Sequence, residues 1–383
     1  MARIVLGSYM VRYPLGGMLS WVLQYLAGFK DLGHEIYFVE KYGYPDSCYN
    51  PLNETMSDDC SYGVKVLSEL LAKVGLQEKW CFVERSGKYH GISRKDIEEI
   101  FRTADVFIDM GTHGSWAEEA SLANLNILID GEPGFTQIKM ANAIEEGTVL
   151  PHYDHYFTTG KNIDTEFSTS PTANVKWRYL YHPVNVDLFP VVESPETAPY
   201  TTVMNWQSHK PIRYNGTTFG QKDIEFARFV DLPKRVALPL QLAVSGKKLP
   251  VQMLNEHGWQ VFDAKQATIS FDSFQRYIQN SRGEFSVCKN VFVANNTGWF
   301  SDRSAAYLAS GRPVVMQETG FSRHLPCGKG LFAVQSPEEA KAAIEEIESD
   351  YNLHSKAARR IAEEHLHTGV VLKEFLDELG IGK

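Results

Sequence analysis

No stretch of this chain approaches the roughly 20 consecutive apolar residues that a membrane span needs. The opening MARIVLGSYM has no positively charged region followed by an apolar core, so no secretory signal is expected. The expectation is a soluble, cytoplasmic protein without a transmembrane segment. Five cysteines, Cys48, Cys60, Cys81, Cys288 and Cys327, are scattered and never fall in a CxxC pair. That disfavours both a zinc site and a disulfide framework and predicts free thiols. Basic residues are in deficit: 38 Lys and Arg against 47 Asp and Glu give a net charge of −9. This argues against a broad nucleic-acid surface and leaves room only for a local basic pocket. The first glycine-containing turn, Tyr13-Pro14-Leu15-Gly16-Gly17, lacks the GxGxxG spacing. A dinucleotide-dependent oxidoreductase is therefore disfavoured. Repeats and low-complexity segments are also missing.

What the chain does have is length and alternation. Its 383 residues, 43% hydrophobic, suffice for two cores. RIVLGS (3–8) reads as a buried strand. MLSWVLQYLAGFKDLGH reads as a helix, with Leu19, Val22, Leu23, Leu26 and Phe29 on one face and Gly33 ending it. EIYFVE (35–40) is a second strand, which completes a βαβ unit. Residues 41–62 are polar and aromatic and read as a long loop that could line a cleft. Helices follow near 61–75 and 94–103, with strands in 104–110, 124–133 and 155–163. Apolar runs stop across 179–199, as in a linker.

A second series then begins, with strands at 201–206, 239–245 and 258–263 and helices at 222–233 and 270–283. VFVA (291–294) reads as a further strand. Pro337, after a Ser336 cap, opens an almost wholly helical tail. The predicted architecture is α/β, with two Rossmann-like domains facing a central cleft. Residues 1–190 form the first domain and 191–364 the second. A C-terminal helix in 365–383 packs back near the first.

Three segments carry a family resemblance. HPVNVDLFP (182–190) closes the first domain. SDRSAAYLASGRPVV (301–315) is a small-residue helix, Gly-x-Pro and strand. GKGLFAVQSPEEAKAAIEEI (328–347) follows as strand, loop and helix. Together they resemble the GT-B class of nucleotide-sugar glycosyltransferases, especially its bacterial family 1/family 4-like and CgeB-like members. The resemblance implies a second domain that binds the donor, a first domain that binds the acceptor, and transfer without a bound metal. No DxD motif ends a strand, and the histidines are too dispersed to suggest a metal cluster. Many retaining members carry a donor-binding glutamate in the small-residue helix. The register set by Gly311 and Pro313 puts Ala306 there, so stereochemistry does not carry over.

Transfer from a nucleotide sugar requires that the leaving diphosphate be neutralised and that the acceptor hydroxyl lose its proton. The polar cluster 281–304 supplies donor-site candidates: Arg282, Glu284, Lys289, Ser301, Asp302, Arg303 and Ser304. A helix starting at Ser301 would offer free N–H groups. Lys289, placed before VFVA, would stand at that strand's N-terminal end. Arg282 and Glu284 could pair with each other. The resemblance adds Lys210, Arg213 and Lys222 after the first strand of the second domain, and Gly16 and Gly17 could bring a ligand close to backbone amides. The base is sought in the first domain, where VFIDM ends in Asp109-Met110-Gly111-Thr112-His113. His113 and Asp109 are the catalytic candidates, with Glu118 and Asp130 as rivals. The expected function is a GT-B glycosyltransferase moving a sugar from a UDP- or dTDP-sugar to a small-molecule or glycan acceptor. The nucleotide sugar is a co-substrate, and no cofactor is expected. A sugar-nucleotide epimerase of the same fold and a catalytically silent subunit are the alternatives, and a homodimer is left open.

Overall fold

The structure is a computed structural model that describes residues 1–193, 195–246 and 248–381. The last two residues of the expected C-terminal helix lie outside that range. The βαβ start is present as β1 (Arg3–Gly7), α1 (Gly16–Asp31) and β2 (Glu35–Lys41). Ile4, Val5 and Leu6 are all fully buried, as a strand covered on both faces requires. α1 buries Leu19, Val22, Leu23, Leu26 and Phe29, and Gly33 follows at φ +82°, a conformation that side chains with a Cβ resist.

The expected loop at 41–62 instead contains a small hairpin, β3 (Cys48–Asn50) with β4 (Thr55–Ser57). Then come α2 (Ser61–Lys73), β5 (Trp80–Val83), β6 (Tyr89–Gly91), α3 (Arg94–Arg102), β7 (Val106–Asp109), α4 (Ala117–Ala120), β8 (Asn126–Asp130), α5 (Phe135–Glu145), β9 (His155–Thr158) and β10 (Trp177–Tyr179). Eight strands form one sheet in the order β10-β9-β8-β7-β1-β2-β5-β6. It is parallel except at β6. The edge strands β6 and β10 are three residues each and only part-buried, so they leave little apolar pattern in the sequence.

The second sheet starts at β11 (Tyr200–Asn205). A hairpin, β12 (Ile212–Tyr214) and β13 (Thr217–Phe219), precedes α6 (Lys222–Phe226). One helix is expected over 222–233, but α6 gives way to 3₁₀ turns, the second with Pro233 at its start. β14 (Leu240–Ser245), α7 (Val251–Glu256), β15 (Gln260–Asp263), α8 (Ala264–Thr268) and α9 (Phe271–Gln279) follow. Next are β16 (Gly283–Ser286), α10 (Asn290–Ala294), α11 (Asp302–Ala309), β17 (Val314–Gln317) and β18 (Leu331–Val334). The chain ends in α12 (Pro337–Ser349), α13 (Tyr351–Ile361) and α14 (Thr368–Glu378). The Ser336 hydroxyl accepts from Glu339 N at 3.2 Å, which is the cap expected before Pro337. The six strands run β15-β14-β11-β16-β17-β18, all parallel.

One correction moves a candidate donor-site residue. VFVA is not a strand; it lies in α10, and the strand is Gly283–Ser286 just before it. Val291 and Phe292 are buried, and a short apolar run of this kind fits either structure until its neighbours are known. Lys289 therefore follows a strand instead of preceding one.

The two units are in contact. α14 lies on α1, with Phe375 6.3 Å from Phe29 and 4.9 Å from Phe157 between ring centres. Val184 and His367 form a parallel bridge. Gly16 is an inter-unit packing position: a Cβ there would stand 2.4 Å from the Ser270 carbonyl oxygen of the second unit.

Candidate functional site

In an open parallel sheet, loops diverge at the C-terminal ends of the strands where the connection changes direction, and ligands sit there. In the second sheet this point falls between β11 and β16, because β14 and β15 lie on one side and β17 and β18 on the other. Lys222, the first residue of α6, belongs to this point and is only 6% exposed. Among the described residues its Nζ has no hydrogen-bond or ion-pair partner. Burial, then the nearby charges of Arg303 and Lys289, bring its pKa down to about 7. A buried amine without a counter-charge is expensive. Gln221 next to it joins the surrounding loops: Ser208 Oγ donates to its side-chain oxygen at 3.0 Å, and Asn290 N donates to its carbonyl at 3.3 Å.

Lys289 follows β16 and is the N-cap residue of α10, with extended backbone (φ −67°, ψ 139°). Its ammonium forms an ion pair with Glu132 of the first unit. Glu132 comes two residues after β8, so the pair spans the two units at the C-terminal ends of both sheets. Sequence reasoning missed Glu132, although its place just past a strand end, in Asp130-Gly131-Glu132-Pro133, is a usable signal.

The first unit's wall continues from Glu132 through His182, Trp21 and Tyr9. His182 is 5% exposed. Burial lowers its pKa, partly opposed by the negative charges of Asp302 and Glu132. The neutral ring accepts from Trp21 Nε1 at 3.2 Å through Nδ1. Tyr9 packs edge-on to Trp21 at 6.0 Å, and burial pushes its hydroxyl up to about 12. His113 is exposed on the loop after β7, at φ +53°. Desolvation by the surrounding protein, then the charge of Lys139, lowers its pKa. The ring is therefore neutral near pH 7 and can accept a proton.

The other candidates have different tasks. Asp109 is fully buried. It accepts from Gly111 N at 3.1 Å, Thr112 N at 2.7 Å, Gly114 N at 3.1 Å and Tyr153 Oη at 2.7 Å. It shapes the loop that presents His113, and its oxygens are occupied. Asp130 likewise accepts from Glu132 N, Gln137 and Thr158. Arg282 and Glu284 do not pair. Arg282 grips Glu348 at 2.8 Å and lies 3.4 Å over the Tyr351 ring, at the N-terminal end of β16 and so away from the crossover loops. Glu284 is fully buried and accepts from Arg303 Nε at 2.6 Å.

Arg303 also donates to Val203 O at 2.7 Å and Ser286 Oγ at 2.5 Å. It is a buried strut beneath the crossover, not a free phosphate clamp. Ser304 is fully buried against Met316. Ser301 occupies the N-cap of α11 without a side-chain cap bond, and Asp302 is the first helical residue. Ala306 is 2% exposed, within the core. Gly16 packs against the second unit, and Gly17 stands beside it near Phe274. Lys210 is exposed on the segment that leads into β12, and Arg213 is exposed within β12 itself. The Arg213 carbonyl accepts from Asn142 of α5 at 3.0 Å. His209, in the same segment, stacks on Phe135 at 4.9 Å.

The units therefore meet through Lys289–Glu132, Asn142–Arg213 and Phe135–His209. Two surface hollows lie on the second unit, one by Lys234, Arg235 and Glu338, the other by Arg228, Asn296 and Gln317. Neither includes Lys222 or Lys289. Lys222 and Lys289 mark a candidate site by charge, because a largely buried cation has a chemical requirement that a shallow hollow lacks.

A scan of family models finds no match, and a search of curated proteins finds none. Solved structures do match over the whole chain. An alpha-glucosyltransferase in complex with UDP and a 13-mer DNA is 9% identical, with TM-score 0.59, covering 99% of this chain and 100% of that one. HepE from Anabaena in complex with UDP-glucose is 10% identical, with TM-score 0.58 and the same coverage. The sucrose-phosphate synthase of Thermosynechococcus elongatus is 12% identical, with TM-score 0.57, covering 99% of each chain. From end to end, the chain has the GT-B fold of these glycosyltransferases.

Proposed function

We propose that the protein is a glycosyltransferase that uses a nucleotide-sugar donor, UDP-sugar first among the candidates. The observation that carries the proposal is Lys222: a largely buried lysine whose Nζ has no acceptor among the described residues, beside Lys289 at the crossover of the second sheet. A diphosphate is the anion that this arrangement fits. It would give Lys222 a counter-charge, and Lys289 would exchange Glu132 for phosphate oxygen. The full-length fold match to proteins crystallised with UDP or UDP-glucose supports the choice of nucleotide.

In the transfer, the bond from the anomeric carbon to the diphosphate oxygen breaks and its electron pair stays with the diphosphate. Lys222 and Lys289 stabilise the charge that develops. The acceptor hydroxyl oxygen forms the new bond to the anomeric carbon, and its proton passes to His113. The two lysines provide the positive charge at the leaving group, so transfer should proceed with magnesium and manganese omitted. The acceptor is a small molecule or glycan reaching the cleft from the first unit. The net charge of −9 disfavours a DNA acceptor.

Calorimetric titration with UDP, dTDP and GDP tests the donor assignment, and UDP-glucose with a panel of acceptors tests transfer. Binding of UDP and formation of a glycosylated product are expected. Failure to bind any of the three nucleotides refutes the proposal.

A further inference from the structure

One of the scattered cysteines, Cys60, meets two other potential metal ligands in space. Cys60 stands just before α2, Glu84 just after β5, and His90 on β6. Three separate segments thus bring a thiol, a carboxylate and an imidazole together at the β5–β6 edge of the first sheet. One ligand atom from each lies within 4.8 Å of the other two.

The way they converge is informative. His90 Nε2 is 2.7 Å from Glu84 Oε1 and 3.9 Å from Cys60 Sγ. Both neighbours address the same ring nitrogen. A proton relay needs the base and its orienting group on opposite nitrogens, so this is not a nucleophile triad. A simple hydrogen bond explains Glu84 and His90 but not the thiol brought to the same nitrogen. Three lone-pair donors aimed at one point are what a metal ion requires. Sulfur, nitrogen and oxygen from Cys, His and Glu suit zinc(II), a borderline-soft ion that takes all three.

The surroundings support this reading. Cys60 is 7% exposed, and the His90 and Glu84 side chains are 20% and 24% exposed, so the site is sheltered yet reachable. Ser86 Oγ donates to Glu84 Oε2 at 2.8 Å, which fixes the carboxylate as outer partners do around metals. Lys88 is 3.6 Å from Glu84, but its side chain is 67% exposed and can swing away. Cys48 of β3 is buried and close enough to feel the charge of Cys60, but it lies outside the group of mutually close ligand atoms and would have to shift to serve as a fourth ligand in place of water.

We propose that Cys60, Glu84 and His90 form a zinc(II) site, with Cys48 or water completing the tetrahedron. The ion would tie the 42–60 segment to the edge of the first sheet. That segment reaches the second unit, where Lys265 Nζ lies 3.4 Å from the Leu52 carbonyl and 3.2 Å from Glu54. The site is independent of the donor assignment: it stands or falls whether or not UDP binds.

The test is metal analysis of the full chain after EDTA stripping and zinc addition, together with cobalt(II) substitution. The expected results are equimolar zinc and a thiolate-to-cobalt charge-transfer band with tetrahedral ligand-field absorption. Cys60→Ser and His90→Ala should lose the band and weaken zinc binding beyond the roughly 10–100-fold cost of losing an outer partner. Cys327→Ser, on an exposed cysteine elsewhere, should keep both. Cys48→Ser identifies the fourth ligand: loss of part of the charge-transfer intensity means the thiol, and an unchanged band means water, either of which upholds the site. Zinc should also slow proteolysis within residues 42–60 of the wild-type chain, a readout that does not depend on the variants folding. Sub-stoichiometric zinc at saturation, or a cobalt spectrum without thiolate absorption, overturns the proposal.

Discussion

Replacing Lys222 by Met should make the nucleotide-free protein more stable and its nucleotide affinity lower. Met keeps most of the apolar stem and removes the amine. Lys222 is 6% exposed, and its folded pKa is about 7 against an ordinary 10.5, with burial as the first cause. Between those values the unfolded chain holds the proton and the folded chain does not, so stability rises with pH across the window from about 7 to 10.5. At about 1.4 kcal/mol per pH unit, the destabilisation near pH 7 is roughly 4 kcal/mol, read as an order of magnitude. Lys222→Met should recover much of it and flatten the pH dependence of stability in that window, measured by urea unfolding at several pH values. The same substitution removes a charge-assisted hydrogen bond to diphosphate worth roughly 1.5–3 kcal/mol, so the UDP dissociation constant should rise roughly 10- to 100-fold. In the wild type, UDP should restore the charge on Lys222. At pH 8 its binding should therefore take up a proton, seen as a binding enthalpy that varies with the ionisation enthalpy of the buffer. A variant that is less stable yet binds UDP unchanged would refute the assignment of Lys222 as a buried phosphate ligand.

Glu132→Gln frees Lys289 without removing it. The pair is part-exposed, 13% and 38%, and such pairs contribute up to about 1 kcal/mol, so UDP affinity should rise up to roughly fivefold; weaker binding would overturn this account. His113→Gln should lower kcat by roughly 10²–10⁴-fold while leaving the UDP dissociation constant unchanged. Because desolvation lowers the wild-type ring's pKa, the acid limb of kcat/KM should lie below the ordinary imidazole value. Arg303→Met leaves Glu284 as an uncompensated buried charge and should cost roughly 3–5 kcal/mol of stability. Arg303→Met combined with Glu284→Leu should recover most of that in a thermal melt, whereas a phosphate ligand would show its main effect on UDP affinity.

The alternation of elements was legible because β1, β2 and β14 are largely buried and mostly apolar, and β7 carries a shorter buried apolar run; burial on both faces leaves that mark on a sequence. Strands β6 and β10 were not legible, being short, part-exposed edges. Charged partners were harder to read. Arg303 and Glu284 are 19 residues apart, Arg282 and Glu348 are 66, and Lys289 and Glu132 are 157. No local pattern encodes such distances. A sequence shows which residues carry charge, but the fold decides whether that charge faces a ligand or another side chain.

Lys289 shows how one local misreading relocates chemistry. With VFVA as a strand, this lysine falls at the N-terminal end of a parallel sheet, where ligands rarely sit. With Gly283–Ser286 as the strand and Asn290–Ala294 as a helix, it falls at the opposite end, on the crossover and facing the first unit. Once it is there, the other cations sort themselves by partner. Arg282 is neutralised by Glu348 and Arg303 by Glu284. Lys289 is held by a carboxylate from the other unit, and Lys222 has no partner among the described residues. A charge neutralised within its own unit stabilises that unit; a charge neutralised across the cleft, or not at all, is available to a ligand. Of the cations at the crossover, Lys222 and Lys289 are the two that our proposed donor site offers a diphosphate, which would displace Glu132 from Lys289.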